Sequence, residues 1–164
     1  MTDFLTDIMP LRDPLYRLAL RITLDRHEAE DLAQETLVRL WERRDRWDEI
    51  ENLRAFAFSV CQRMAIDHVR QRQLHAEREQ DIAEHQRQAM RTEEPDERVE
   101  MVKRLIDRLP EVQRTVVQLR DMEGLRYDEI AQATGLTDTQ VRVYLHRART
   151  RIREAVAARP QEDL

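Results

Sequence analysis

The whole chain contains two glycines, Gly124 and Gly135, and both lie in its C-terminal third. Glycine adopts a left-handed backbone conformation at no steric cost, so a glycine that follows an amphipathic segment typically ends a helix. The rest of the chain is rich in Ala, Leu, Arg, Glu and Gln, with five prolines, and no segment alternates like a strand. We therefore expect an all-α protein of small helical domains.

The two glycines divide the C-terminal region into segments of helical length. A short helix is predicted to begin near Tyr127, to turn at Gly135, and to be followed by a helix that begins near Thr137. At the contact between such helices a small residue is needed, here Ala131, and Val141 has to pack back onto the first helix. This spacing predicts a helix-turn-helix, in which Thr137 and Gln140 cap the second helix.

The second helix of this motif has two different faces. A helical wheel over 137–156 places Val141, Leu145, Ala148, Ile152 and Val156 on one stripe, which is predicted to be core. The candidate DNA-contacting residues are Thr139, Gln140, Arg142, Val143, His146, Arg147 and Arg149, with Thr150 and Arg153 beyond them. A solvated basic face is the alternative, but the turn spacing favours DNA. Arg142 and Arg147 are expected to reach bases, whereas the arginines from Arg149 to Arg153 are expected to contact phosphates.

Three more helices are predicted in the N-terminal half. Asp13 before Pro14 is the predicted N-cap of a first helix that ends near Leu24, and Asp25 with Glu28 has the form of a capping box for a second. Its apolar stripe consists of Ala29, Leu32 or Ala33, Thr36, Leu37, Leu40 and Trp41. Asn52 is the predicted N-cap of a third helix, with Phe56, Val60, Met64 and Asp67 along it. These helices are expected to share one core.

The chain is expected to divide into residues 1–72, a linker at 73–98, and residues 99–160. The linker is acidic and poor in apolar residues, so it cannot form a core by itself and is expected to be flexible, with some helix at its start. Apolar spacing resumes at Val99, Val102, Leu105, Ile106 and Leu109, after which Pro110 opens another helix.

Composition excludes several classes of function. A net charge of -5 argues against nonspecific coating of nucleic acid, and no apolar run approaches a membrane span. Cys61 is the only cysteine, so no internal disulfide is possible, and the N-terminus does not resemble a secretory signal. A cytoplasmic protein is therefore expected. The scattered histidines and carboxylates form no metal set and no catalytic arrangement, so we expect neither cofactor, metal nor enzymatic activity.

Six segments occur together in one order: DLAQETL at 31–37, NLRAF at 52–56, AIDHVR at 65–70, LPEVQR at 109–114, EGLRYDEIA at 123–131 and LHRAR at 145–149. Together they resemble the extracytoplasmic function group of bacterial RNA polymerase sigma factors, in the sigma-70 family. The resemblance covers about residues 10–72 and 99–157. It implies a sigma-2-like bundle of three or four helices that recognises and melts the minus-10 element, and a sigma-4-like helix-turn-helix domain that recognises the minus-35 element.

The resemblance also implies where core RNA polymerase is bound. Its β′ clamp helices would contact Asp31, Gln34, Glu35, Leu40 and Trp41, and its β flap would contact the sigma-4-like domain. For Leu37, Leu40 and Trp41 a core position is the favoured alternative, because a three-helix bundle needs apolar side chains there. We therefore assign this interface mainly to Asp31, Gln34 and Glu35.

Carried over by position, the minus-10 contacts are Asp48, Glu49, Ile50, Glu51, Asn52, Arg54, Phe58, Gln62 and Arg63. In the family this loop captures a base flipped out of the duplex. Its acidic side chains repel phosphates, so backbone amides or Asn52 would have to bind, and a solvated connection is the alternative. Of the tryptophans, Trp41 is expected in the core and Trp47 at an interface, with stacking on an unpaired base equally open for Trp47.

Three positions depart from the family pattern. Arg63 replaces a common asparagine, Arg126 replaces a Ser or Thr helix cap, and the reading helix lacks a glycine near its start, so its target sequence is not inferred. Two other classes of function stay open: an autonomous repressor or activator, which would need a dimer and a palindromic site, and an interaction protein without DNA binding. The resemblance further implies regulation by an anti-sigma factor, for which the sequence gives no independent sign.

Overall fold

The computed structural model describes residues 1–76 and 96–158, and within these ranges the chain forms helices and turns without a strand. Most of the predicted linker lies outside the described residues. The helices are α1 (Arg12–Thr23), α2 (Arg26–Glu42), α3 (Leu53–Ala76), α4 (Glu97–Asp107), α5 (Glu111–Val117), α6 (Tyr127–Thr134) and α7 (Asp138–Ala158). A π-helical turn (Phe4–Ile8) and a 3-10 turn (Met9–Leu11) precede α1, a 3-10 turn (Arg44–Glu49) follows α2, and a π-helical turn (Gln118–Met122) extends α5. The all-α class is confirmed.

The first two helices begin and end at local signals. Asp25 caps α2 by accepting from the backbone N–H groups of His27 and Glu28, as predicted. The Glu28 side chain instead pairs with Arg72 and His68 of α3, so only half of the predicted box forms. The prediction that Asp13 caps α1 is wrong, because the preceding 3-10 turn runs directly into the helix at Arg12.

The core of the N-terminal half lies between α1, α2 and α3. Along α3 the buried side chains are Ala55, Ala57, Phe58, Ser59, Cys61, Ala65 and Val69. The predicted apolar residues Phe56, Val60 and Met64 are only partly buried, so the buried face of α3 is rotated from the expected one. Asn52 caps this helix through Oδ1, which accepts from the backbone N–H of Ala55 at 2.9 Å.

The helix-turn-helix predicted from the glycines is present in α6 and α7. Both glycines have positive φ angles, 71° at Gly124 and 79° at Gly135, and Gly135 ends α6. Val141, Leu145 and Ala148 of α7 are buried, whereas Ile152 is half-buried and Val156 is 42% exposed, so the end of the predicted stripe leaves the core. The motif therefore rests on the first three turns of α7.

The two halves pack against each other. α3 contacts α6, and α1 contacts α5, so the buried side chains of both halves form one continuous cluster. Polar groups reinforce this contact: Arg21, only 7% exposed, donates to Asp107 Oδ1 at 2.8 Å and to Gln118 Oε1 at 3.1 Å. The domain boundaries expected from sequence stay a prediction, while α3 extends to Ala76 and α4 begins at Glu97.

Candidate nucleic-acid interface

The outer face of α7 is an exposed polar surface of the helix-turn-helix. Its predicted contact residues are all exposed: Thr139, Gln140, Arg142, Val143, His146, Arg147 and Arg149. They can be exposed because the opposite face, with Val141 and Leu145, packs onto the core of the C-terminal half. The structure therefore brings the seven predicted residues together on one surface, of a width that a DNA major groove accepts.

The start of α7 is fixed by a reciprocal cap. Thr137 Oγ1 accepts from the backbone N–H of Gln140 at 3.1 Å, and Gln140 Oε1 accepts from the backbone N–H of Thr137 at 2.9 Å. This confirms the predicted cap and engages the Gln140 carbonyl oxygen. The amide N–H donors of that side chain stay free of the cap and remain available to DNA.

Two arginines of α7 are held by groups from outside that helix. The Arg142 guanidinium lies 4.9 Å from the ring centroid of Tyr127, and Arg149 pairs with both carboxylate oxygens of Asp121, at 2.5 and 3.1 Å. Asp121 raises the pKa of Arg149, and Tyr127 makes a smaller contribution. Neither partner was identified from sequence, because both precede α7 in the chain and look like ordinary surface positions.

The predicted minus-10 residues do not form one open surface. Asp48, Glu49, Glu51 and Arg63 are exposed, and Ile50 and Gln62 are half-buried. Phe58 is fully buried in the core, which corrects its assignment as a DNA contact in this arrangement. The loop is acidic, as predicted.

Asn52 and Arg54 are covered by the C-terminal half. The Asn52 amide donates to Glu129 Oε2 at 3.1 Å, while Arg54 donates to the backbone carbonyl of Glu123 at 2.7 Å. Arg17 of α1 pairs with the Glu123 carboxylate through two N–H groups, the shortest contact being 2.6 Å. Sequence reasoning missed Glu123 and Glu129, because nothing in the local pattern shows that these carboxylates face another domain.

Burial and hydrogen bonding oppose each other at Glu129. Burial disfavours its charged form, but N–H donors from Arg126 and Asn52 outweigh that effect and lower the pKa of Glu129. Glu129 also accepts from the backbone N–H of Arg126 at 3.0 Å, and thereby caps α6 at the position where the Arg126 side chain makes no such bond. One carboxylate thus serves both the helix-turn-helix and the contact with the N-terminal half.

The predicted polymerase-binding residues lie on α2. Asp31, Gln34 and Glu35 are exposed on one face, and Trp41 at its end is 46% exposed. Val38, one turn after Gln34, is 47% exposed and belongs to the same face by its helical spacing, although sequence reasoning did not name it. Leu40 is completely buried, so it supports this surface from the core and cannot contact a partner directly.

The two tryptophans exchange their expected roles. Trp47 is 7% exposed, and its indole N–H donates to the backbone carbonyl of Leu40 at 2.8 Å, so it closes the end of α2. Trp41 remains exposed, between Phe4 at 5.2 Å and Trp47 at 6.3 Å in edge-to-face contacts. Expecting Trp41 in the core and Trp47 at an interface was therefore wrong, because the 3-10 turn after α2 returns Trp47 to the core.

Other chemistry is limited in the part of the chain that the structure describes. No group of three or more His, Cys, Asp or Glu side chains there is arranged to hold a metal ion. None of the described helices has the length and apolar character needed to cross a membrane. Cys61 is fully buried, and burial raises its pKa to about 12.

Each half of the chain matches the model of a known protein family. Residues 8–75 match the family model described as sigma-70 region 2, and residues 100–152 match the model described as sigma-70, region 4. These matches cover the N-terminal bundle and the helix-turn-helix half respectively. The chain belongs to the sigma-70 family of RNA polymerase sigma factors, in its extracytoplasmic function group.

Individual relatives agree with this assignment. The chain is 29% identical to the ECF RNA polymerase sigma factor SigE of Mycolicibacterium smegmatis over 92% of its own length, but spans only 60% of that protein. It is 32% identical to the RNA polymerase sigma-E factor of Streptomyces coelicolor, with 90% of this chain and 82% of that protein covered. Its fold matches the sigma factor RpoE of Bartonella quintana, solved in complex with the anti-sigma factor NepR, at a TM-score of 0.77 and 21% identity, over 98% of this chain and 100% of that one.

Proposed function

We propose that this chain binds bacterial core RNA polymerase and directs it to a particular class of promoters, without catalysing a reaction itself. The seven exposed side chains on the outer face of α7 carry the proposal, because they form the DNA-reading surface that the helix-turn-helix geometry requires. Such a subunit acts in the cytoplasm, where core polymerase transcribes the chromosome.

In this function α7 enters the major groove of the minus-35 element. Arg142 and Arg147 contact base edges, Arg149 contacts a phosphate, and the N–H donors of Gln140 remain available to either. The net charge of -5 fits a subunit that does not bind DNA tightly by itself. Polymerase then supplies much of the affinity, and α7 supplies selectivity.

The exposed face of α2 is the proposed contact with the β′ clamp helices of polymerase. Asp31 and Glu35 provide negative charge, and Val38 and Trp41 add apolar area beside it. Glu35 shares its charge with Arg39 at 3.5 Å, so Asp31 gives the main acidic contact beside the apolar area, which suits a basic partner surface better than a nucleic acid. The β flap is the proposed partner of the C-terminal half.

The segment from Asp48 to Arg63 is proposed to act on the minus-10 element. Asn52 and Arg54 contact the C-terminal half in this structure, so the two halves have to separate before both side chains can meet single-stranded DNA. Regulation by an anti-sigma factor is part of the proposal, supported by the complex in which the structurally similar RpoE was solved. Such a partner would act by keeping the two halves from engaging polymerase.

Transcription reconstituted from purified core polymerase and this chain tests the function. We expect transcripts to begin at a shared promoter motif, identified by sequencing their 5′ ends, only when the chain is present. Absence of core binding would contradict the proposal. Tight binding of the free chain to a palindromic site would instead indicate an autonomous regulator.

Matched variants locate the two surfaces. Arg147→Ala should weaken promoter binding by about 1–3 kcal/mol, the value of a good base contact, whereas Arg108→Ala, which changes an exposed arginine directly after α4, should not. Asp31→Lys should lower the affinity for core polymerase, and Asp67→Lys on the exposed side of α3 serves as its control. Equal effects of test and control variants would mean that bulk charge, and not these surfaces, determines binding.

A further inference from the structure

The ring of Tyr127 lies between an arginine of α7 and an arginine of the π-helical turn before α6. The Arg142 guanidinium carbon is 4.9 Å and that of Arg120 is 4.8 Å from its centroid. Distances of this size are typical of cation–π contacts, in which a cation is attracted to the negative face of an aromatic ring. Tyr127 is thus the side chain through which α6 contacts a predicted base-reading arginine of α7.

Tyr127 is itself firmly placed. It is the first residue of α6, half-buried, and packs against the common hydrophobic cluster. Arg120 is fixed as well, because its N–H donates to the backbone carbonyl of Leu125 at 2.8 Å. Both groups are therefore held by the first part of the motif, before the reading helix begins.

Arg142, in contrast, is exposed and has no other polar partner in the described part of the chain. A free arginine side chain loses roughly 2 kcal/mol of rotamer entropy when it is fixed in one orientation. Contact with a fixed ring limits that orientation before DNA arrives, and leaves the N–H donors of the guanidinium for a base edge. The contact thus reduces the entropy that binding has to remove.

We propose that Tyr127 is a positioning residue for base recognition: its ring holds the Arg142 guanidinium ready for the bidentate contact that arginine makes with guanine. This inference rests on the proposed minus-35 function of α7 and adds a residue from outside that helix to its specificity. The ring supplies the effect and the hydroxyl is not required for it, since the contact with Arg142 is made by the aromatic face.

A double-mutant cycle with holoenzyme tests the proposal. Affinity for a promoter found with the wild-type chain is measured for the wild type, Tyr127→Leu, Arg142→Ala and the double variant, on that promoter and on variants with each guanine of the minus-35 element replaced. Tyr127→Leu should lower affinity about two- to fivefold, which corresponds to an exposed cation–π contact. It should also weaken discrimination at the same base position as Arg142→Ala, and the double variant should be no worse than Arg142→Ala alone.

Two further variants separate positioning from stability. Tyr127→Phe keeps the ring and should retain wild-type selectivity. Tyr144→Leu removes another half-buried tyrosine of this half, one without a guanidinium over its ring in the described residues, and should leave selectivity unchanged. Thermal unfolding of each variant checks that the protein is folded.

The outcomes distinguish this inference from the proposed function. If the wild-type chain forms no promoter-specific holoenzyme, the function itself fails. If wild-type holoenzyme is specific but Tyr127→Leu and Arg142→Ala act additively or at different base positions, Tyr127 does not position Arg142. Loss of selectivity in Tyr127→Phe would likewise overturn the role of the ring and assign it to the hydroxyl.

Discussion

The two surfaces proposed to contact promoter DNA differ in what covers them. On α7 every predicted contact residue is exposed, and two of its arginines, Arg142 and Arg149, are held by neighbours from the same half of the molecule. At the start of α3, Asn52 and Arg54 are bonded to carboxylate and carbonyl groups of the other half. One proposed surface is therefore accessible in the isolated chain, whereas the other is accessible only after a rearrangement.

This difference has a physical cause in the packing. The apolar side of α7 completes the core of its own half, so its polar side faces solvent. The start of α3 instead lies against α6 and the turn before it. There Glu129 accepts from Asn52, and Glu123 accepts from Arg54 and from Arg17 of α1. The comparison teaches that the two proposed DNA surfaces of one chain need not be accessible at the same time.

The largest effect on the difference in exposure between the two surfaces is expected from Arg21→Ala. This buried guanidinium bridges Asp107 and Gln118 of the C-terminal half, and removing one partner of a buried ion pair costs about 3 kcal/mol. The two halves should then separate while α1 stays folded. Fluorescence energy transfer between dyes on Glu30→Cys and Arg151→Cys measures this, since the native thiol of Cys61 is fully buried.

Arg70→Ala, an exposed arginine of α3, is the control for that experiment. It should change neither the dye distance nor the free energy of unfolding. An unchanged dye distance in Arg21→Ala would show that apolar contacts alone hold the halves together, and the covered surface would then need a stronger perturbation to open.

Asn52→Asp should have an intermediate effect on the contact between the two halves. Aspartate retains an oxygen that can cap α3, but places a second carboxylate beside Glu129, where the amide donated at 3.1 Å. Loss of that bond and the new repulsion should weaken the contact by about 2 kcal/mol. Combining this change with Glu129→Gln should restore the dye distance of the wild-type chain. If it does not, the effect of Asn52→Asp arises from a weakened N-cap of α3.

The hydrogen bond between Asn52 and Glu129 also predicts that the contact between the two halves depends on pH. The pKa of Glu129 is lowered from its ordinary value of 4.5, so the contribution of its charged form is present above that pH and is lost as pH falls through the lowered pKa. The contact between the two halves of the wild-type chain should therefore weaken in acid. The distance between the two dyes, measured as a function of pH, reports this change. Glu129→Gln should reduce that dependence.

Sequence reasoning succeeded where the signal was local. The glycines at 124 and 135, the Thr137 and Gln140 cap, and the Asn52 cap each involve residues within a few positions of one another, and all are found in the structure. Their conformations depend on short-range sterics and hydrogen bonds, which the identity of neighbouring residues largely determines.

It failed where distant segments decide burial. Helical spacing at the end of α2 favoured Trp41 as core, but the 3-10 turn after α2 brings Trp47 there instead. Apolar residues occur on several sides of α3, so periodicity did not identify Phe58 as buried. The contact of Asn52 with Glu129 spans 77 positions, and no periodic pattern encodes such a contact.

The smallest effect is expected from Asp121→Asn, which tests the exposed surface of α7. Asp121 neutralises Arg149, and both side chains are exposed, so the change should alter the free energy of unfolding by less than about 1 kcal/mol. Freed from this carboxylate, Arg149 can contact a phosphate without first breaking an ion pair. Holoenzyme affinity for promoter DNA should therefore rise, and the slope of log affinity against log salt should steepen by up to about one unit.

Selectivity separates this effect from base reading. A phosphate contact raises affinity for all sequences alike, so discrimination between minus-35 variants should stay the same in Asp121→Asn. In the combination of Asp121→Asn with Arg149→Ala the gain should disappear, because the charge that produces it is gone. A gain that persists in this double variant would mean that Asp121 repels DNA directly, and that the carboxylate acts on the open surface by its own charge and not by occupying Arg149.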